Sequence, residues 1–122
     1  MVENILFEFY RGDTYTRDFT VTGWSFSVSK AFFTVKEDIE KKSYVLQKTL
    51  NNGITLVDES NGEKTFNLKI CCSDTDHMKI DTDYTFDIEI HSEGVNGEML
   101  KKTIITGIVR LKGSATRPCN EC

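Results

Sequence analysis

The chain lacks the long apolar runs, the one-signed charge and the repeating helical pattern that would place it in several large classes of protein. No stretch approaches the roughly 18 apolar residues that a membrane-spanning helix needs. The start, Met1-Val2-Glu3-Asn4, has no basic segment followed by an apolar one. No secretory leader is read there, and the expectation is a soluble protein made in a cytoplasm, with no membrane partner. No segment carries a sustained i, i+3, i+4 apolar spacing, so a helical bundle and a βαβ unit are both disfavoured. There are 15 Lys and Arg residues against 19 Asp and Glu, a formal charge of −4. The basic residues are scattered rather than striped, which argues against nucleic acid as a partner, since phosphate contacts supply most of that affinity. A dense acidic surface is missing too: Glu37-Asp38-Ile39-Glu40 is followed at once by Lys41 and Lys42.

Catalytic groupings are equally scarce. The only histidines are His77 and His91. Neither has a Ser or Cys at a nucleophile spacing, and both are read as solvent-exposed. Asp74, Asp76, Asp81 and Asp83 suggest a calcium loop at first sight. Counted from Asp74, however, Lys79 stands where the loop needs Gly and Thr85 where it needs Glu. Ser73 or Asp74 is better used to cap a short turn by accepting backbone N–H bonds. Gly94, Gly97 and Gly107 precede no helical pattern, so no phosphate-binding loop is formed. The expectation is a non-enzymatic protein with no cofactor and no catalytic or metal-binding residues.

The four cysteines are Cys71, Cys72, Cys119 and Cys122. In a cytosolic protein they are expected to be reduced. Cys119-Asn120-Glu121-Cys122 together with Cys71 and Cys72 has the composition of a four-thiolate zinc site. Neighbouring residues of a strand point to opposite faces, which disfavours a common grip on one ion. The terminal C-x-x-C also lacks the strand-to-helix setting of a redox motif. Cys72 is therefore expected in the core and the C-terminal pair in a tail.

What the sequence has in abundance is period-two alternation. Ile5, Phe7 and Phe9 alternate with polar residues, and Arg11-Gly12-Asp13 turns the chain. Tyr15, Phe19 and Val21 share a face that Arg17 interrupts. Trp24, Phe26 and Val28 alternate with serines, as a half-buried strand or extended loop. Ala31, Phe33 and Val35 follow, then a charged stretch over residues 36–42 and a short strand over 43–48. Asn51-Asn52-Gly53 predicts a hairpin, because Asn and Gly tolerate positive φ. Asn61-Gly62 predicts a second tight turn. Phe66, Leu68, Ile70 and Cys72 alternate, as do Tyr84, Phe86, Ile88 and Ile90, with a polar link between them that has room for one helical turn. Ile105, Val109 and Leu111 are placed on one face of the last strand. The fold expected is all-β: an immunoglobulin-like antiparallel β-sandwich of seven to nine short strands over residues 1–113, with residues 114–122 as a flexible tail.

The order of these segments resembles small tailed-phage virion proteins, in particular the N-terminal immunoglobulin-like domain of upper-baseplate proteins. The resemblance rests on Phe7-Glu8-Phe9-Tyr10-Arg11-Gly12-Asp13-Thr14 followed by Phe19-Thr20-Val21-Thr22. It continues through Ala31–Lys36 and the Gly53-Ile54-Thr55-Leu56 segment with Gly62. It ends with Ser73-Asp74-Thr75, the strand Asp83-Tyr84-Thr85-Phe86-Asp87-Ile88-Glu89, and the glycine-bearing strand from Thr106-Gly107 to Leu111. On this resemblance Arg11-Gly12-Asp13 is a family turn rather than an adhesion signal. The chain departs from upper-baseplate proteins in stopping soon after Thr116 and in carrying Cys119 and Cys122.

The resemblance implies a structural subunit of a phage tail, baseplate or neck, located in the virion. Its partners are then other virion proteins or copies of itself in a homo-oligomer. The contact loops expected are those of Asn51, Asn52 and Gly53, and of Glu93, Val95 and Asn96. The alternative is a small phage-encoded inhibitor that binds a host defence protein, its acidic surface steering it toward a basic partner.

Overall fold

The structure is a computed structural model and describes residues 2–38, 40–60 and 62–113, the side chain of Val2 excepted. The tail expected over residues 114–122, with Cys119 and Cys122, lies outside the described residues.

The alternating segments form eight strands: β1 (Val2–Tyr10), β2 (Tyr15–Thr22), β3 (Val28–Lys36), β4 (Leu46–Leu50), β5 (Gly53–Ser60), β6 (Glu63–Ile70), β7 (Asp83–Glu93) and β8 (Met99–Lys112). A single 3₁₀ turn, Cys72–Thr75, sits in the β6–β7 link, and the described residues contain no α-helix. The fold is all-β. The strands run in the order β1-β8-β7-β3-β4-β5-β6-β2, one sheet that curls nearly into a barrel.

The sheet is mixed, which corrects the expectation of purely antiparallel pairing. β1 lies parallel to β8, from Val2 opposite Ile105 to Tyr10 opposite Lys112. These strands are a chain length apart, so no hairpin dictates their direction. The second parallel contact is short: Thr49 faces Gly53 and Leu50 faces Ile54. The hairpin predicted at Asn51-Asn52-Gly53 is therefore absent. Asn51 and Gly53 do take positive φ, at 69° and 103°, but the chain makes a loop and resumes its original direction one strand over. The Gly62 turn is the tight reversal expected, joining β5 to β6 antiparallel with Ser60 opposite Glu63.

Two strand limits also differ from the sequence reading. Trp24 and Phe26 lie in the link before β3, and the strand read over 43–48 is displaced to Leu46–Leu50. In β8 a register shift sets Ile88 opposite Ile105 but Glu89 opposite Thr103. The extra residue is Ile104, and it is this side chain that is buried, while Ile105 is only half-buried. A bulge inserts one residue and so moves the alternation to the other face.

The core is where the sheet closes on itself. Phe7, Phe33, Phe66 and Phe86 are fully buried, with Phe7 stacked on Phe86 at 4.5 Å between ring centroids. Each such ring contributes about 2–3 kcal/mol of burial. The end strands β1 and β2 meet across a seam through side chains: Tyr15 stacks on Phe9 at 4.4 Å, and the Arg17 guanidinium lies 4.9 Å over the Phe7 ring. Arg17, the charge that interrupts an apolar face of β2, thus caps the seam as a cation over an aromatic ring.

Cys71 and Cys72 are both buried and both disulfide-bonded. The expectation of reduced thiols is overturned for Cys71 and Cys72. That expectation followed from the compartment read at the N-terminus, whereas the positions of the cysteines decide their pairing. A sulfur committed to a disulfide offers no thiolate to a metal ion.

Candidate functional site

The Arg11-Gly12-Asp13 turn is built into the molecule. Gly12 takes φ 91°, which favours glycine, and its N–H donates to Thr75 Oγ1 at 3.0 Å. The Arg11 guanidinium donates to the Met78 carbonyl at 3.0 Å, and the Arg11 N–H donates to the Lys112 carbonyl at 2.9 Å. The turn thus fastens β1 to the β6–β7 link and to the end of β8.

The calcium-like acidic residues are also employed structurally. Asp74 Oδ2 accepts the Cys71 N–H at 2.7 Å, the capping role expected, and pairs with Lys48 Nζ at 2.6 Å. Asp83 pairs with Arg110, which lowers its pKa through the hydrogen bond to the guanidinium, and Arg110 also reaches Glu8 on β1. No cluster of His, Cys, Asp or Glu suited to a metal ion occurs among the described residues.

A chemically mixed surface is the groove of about 380 Å³ on the outer face of β3, β4 and β7. β3 contributes Phe32, Thr34 and Lys36, β7 contributes Asp87, Glu89 and His91, and Gln47 and Tyr44 close the β4 side. Alternation places these side chains outward because Phe33, Val35, Ile88 and Ile90 point inward. Gln47 Nε2 donates to Thr34 Oγ1 at 3.0 Å, and His91 Nε2 meets Glu89 Oε1. The Phe32 and His91 rings lie 5.0 Å apart. His91 is thus not the exposed residue expected, since its side chain keeps only 12% exposure. Burial pushes the Asp87 carboxyl above the usual carboxylate range, the Glu89 carboxylate adds to the push, and Lys36 opposes it. Two carboxylates, an imidazole and two lysines, Lys36 and Lys42, beside the rings of Phe32 and Tyr44 suit recognition of a polar surface. The residues lining the groove include no Ser or Cys nucleophile. His77 is exposed as expected, with Nε2 at 2.7 Å from the Val45 carbonyl.

The six loop residues expected to make contacts lie toward one end of the sheet, on either side of β3. Phe32 opposite Thr49 puts Asn51 and Asn52 beyond one flank, and Val28 opposite Ser92 puts Glu93, Val95 and Asn96 beyond the other. All but Gly53, which is half-buried, are exposed, and Val95 at the loop tip is 91% exposed. Two further apolar residues belong to this end and were not foreseen as contacts. Met99 pairs with Glu93 at the base of the 93–98 loop and is exposed. Phe26 is exposed in the link before β3, its ring 5.5 Å from Trp24, whose Nε1 donates to Ser92 Oγ at 2.8 Å. The alternation of Trp24, Phe26 and Val28 with serines reads as a half-buried strand or extended loop and does not mark Phe26 as a contact.

No protein-family model and no curated protein matches the sequence.

Proposed function

We propose that the chain is a non-enzymatic structural subunit of a phage particle, in the tail, baseplate or neck, and that it acts through protein–protein contacts. The observation that carries this reading is the set of exposed apolar side chains Phe26, Val95 and Met99 at the end of the sheet where the 93–98 loop projects. Exposed apolar groups rimmed by polar residues mark contact surfaces. The strand order supports the immunoglobulin-like part of the resemblance. β3, β7 and β8 correspond to the layer of strands C, F and G, and β2, β6 and β5 to that of B, E and D, with the two-pair β4–β5 contact as the hinge between layers. On this reading the partners are other virion proteins or further copies of the chain, and the protein resides in the virion.

Sedimentation of the purified protein over a range of concentrations, with mass spectrometry of purified particles, tests the proposal. Self-association that Val95→Asp weakens, or presence in particles at fixed stoichiometry, supports it. A protein that stays monomeric and is missing from particles refutes it.

The groove, which carries Asp87 and Glu89 beside Lys36 and Lys42, suits a second reading, an inhibitor that binds a polar face of a host defence protein. A pull-down from host extract that recovers one stoichiometric host protein, lost on Asp87→Lys, distinguishes this reading from the first.

A further inference from the structure

We propose that the groove on the outer face of β3, β4 and β7 is a saccharide-binding site that takes a mono- or disaccharide unit of an uncharged glycan. Phe26, Val95 and Met99, which carry the structural reading above, do not line it, so glycan binding and particle assembly can fail separately.

The groove gathers polar groups that the fold leaves unpaired. Among the described residues, the Asp87 carboxylate, the Lys36 and Lys42 ammoniums and the Tyr44 hydroxyl make no hydrogen bond or ion pair. Their neighbours are fixed: Gln47 holds Thr34, and Glu89 holds His91. The register sets Thr34 opposite both Asp87 and Gln47, and Phe32 opposite Glu89, so the lining stands mostly on paired strands. Side chains carried on paired strands are held more precisely than side chains on loops.

Charge decides against the simplest ligands. A cation drawn to Asp87 and Glu89 also meets Lys36 and Lys42, and an anion drawn to the lysines meets the two carboxylates. The balance favours a neutral ligand that both donates and accepts hydrogen bonds. A sugar hydroxyl does both: its O–H donates to a carboxylate, and its oxygen accepts from an ammonium or from an amide N–H.

The rings supply the rest of the recognition. Phe32 is half-buried in the floor, and Tyr44 is 55% exposed on the β4 side. A pyranose presents an apolar C–H face beside its hydroxyls, and aromatic rings with a polar neighbour suit such a surface. The groove's volume of about 380 Å³ falls within the roughly 300–1,000 Å³ of sites that take small ligands.

The test titrates the full chain, labelled with nitrogen-15, with maltose, cellobiose, lactose and N,N′-diacetylchitobiose, and follows the backbone amide shifts. A printed array of uncharged glycans is probed in parallel. The expected result is a saturable shift confined to residues 32–36, 42–47 and 85–91, half-saturated at roughly 1 mM sugar. Tyr44→Ala, which removes an exposed ring and should keep the wild-type Tm, is expected to weaken binding about tenfold, as is Asp87→Ala. No shift with any sugar together with no binding on the array overturns the proposal. So do shifts that map elsewhere, binding that ignores both substitutions, or tighter binding of glucuronate or lysine amide than of any uncharged sugar. No host protein is present in the titration, so its outcome is independent of the pull-down that tests the inhibitor reading.

Discussion

Gly107 of β8 lies directly against the backbone of Ile5 in β1, so close that a Cβ at position 107 would fall inside the Ile5 carbonyl. The glycine in the closing strand, part of the resemblance to virion domains, thus has a physical reason here: it lets the first strand dock beside the last. The contact is with backbone, which cannot swing aside as a long side chain can.

Gly107→Ala should therefore prise β1 from β8 and destabilise the fold by about 2 kcal/mol or more. Chemical denaturation measures the loss. Amide exchange should rise first along β1 and leave the β5–β6 pairing protected.

Phe86 connects the two aromatic contacts at the centre of the core, with Phe7 at 4.5 Å and Phe33 at 5.4 Å. Phe86→Ala should cost about 3–5 kcal/mol. Phe86→Leu should recover more than half of that, as read from denaturation midpoints.

Lys48 and Asp74 join β4 to the 3₁₀ turn at 2.6 Å, with side chains only 11% and 22% exposed. Lys48→Met strands a half-buried carboxylate and should destabilise by about 2 kcal/mol. Asp74→Asn should do similar harm. The double variant should fall short of the sum of the two, with a coupling of about 1 kcal/mol in a double-mutant cycle.

Asp87 gives a pH test of the groove. Its pKa is raised in the folded protein by burial and by Glu89. A folded pKa above the unfolded one means that the folded state holds the proton more tightly. The associated stability is fully present below the ordinary carboxylate range and is lost as pH rises through the raised pKa. Asp87→Asn should accordingly raise the Tm at pH 7, with the gain shrinking toward zero at about pH 3. A variant that melts below wild type at pH 7 would show that Asp87 is stabilising where it sits.

Much of the strand inventory is legible because burial on one face imposes period two. Tyr84, Phe86, Ile88 and Ile90 announce β7, and the same residues are its buried face. The Ile104 bulge is not legible, since one inserted residue changes no composition and only the partner strand reveals it. Asn51-Asn52-Gly53 supplies the positive φ values of a turn, but those torsions do not specify which way the chain leaves it. The loop contacts could be named from turn residues, whereas the groove could not. Asp87, Glu89 and His91 read as the wet side of a strand until the register brings Phe32, Thr34 and Gln47 beside them from 40 or more positions away. The disulfides escaped for a different reason: thiol chemistry depends on what lies near in space and on surroundings, neither of which is written in local pattern.

The parallel ladder between β1 and β8 has a mechanical consequence. Because Val2 sits opposite Ile105 and Tyr10 opposite Lys112, the chain enters near one pole of the pair and leaves β8 at the other. Tension drawn through Val2 and Lys112 runs along both strands, so every rung bears the load at once instead of unzipping in turn. A domain strung between two pulling neighbours in this orientation resists stretching far better than its modest size suggests.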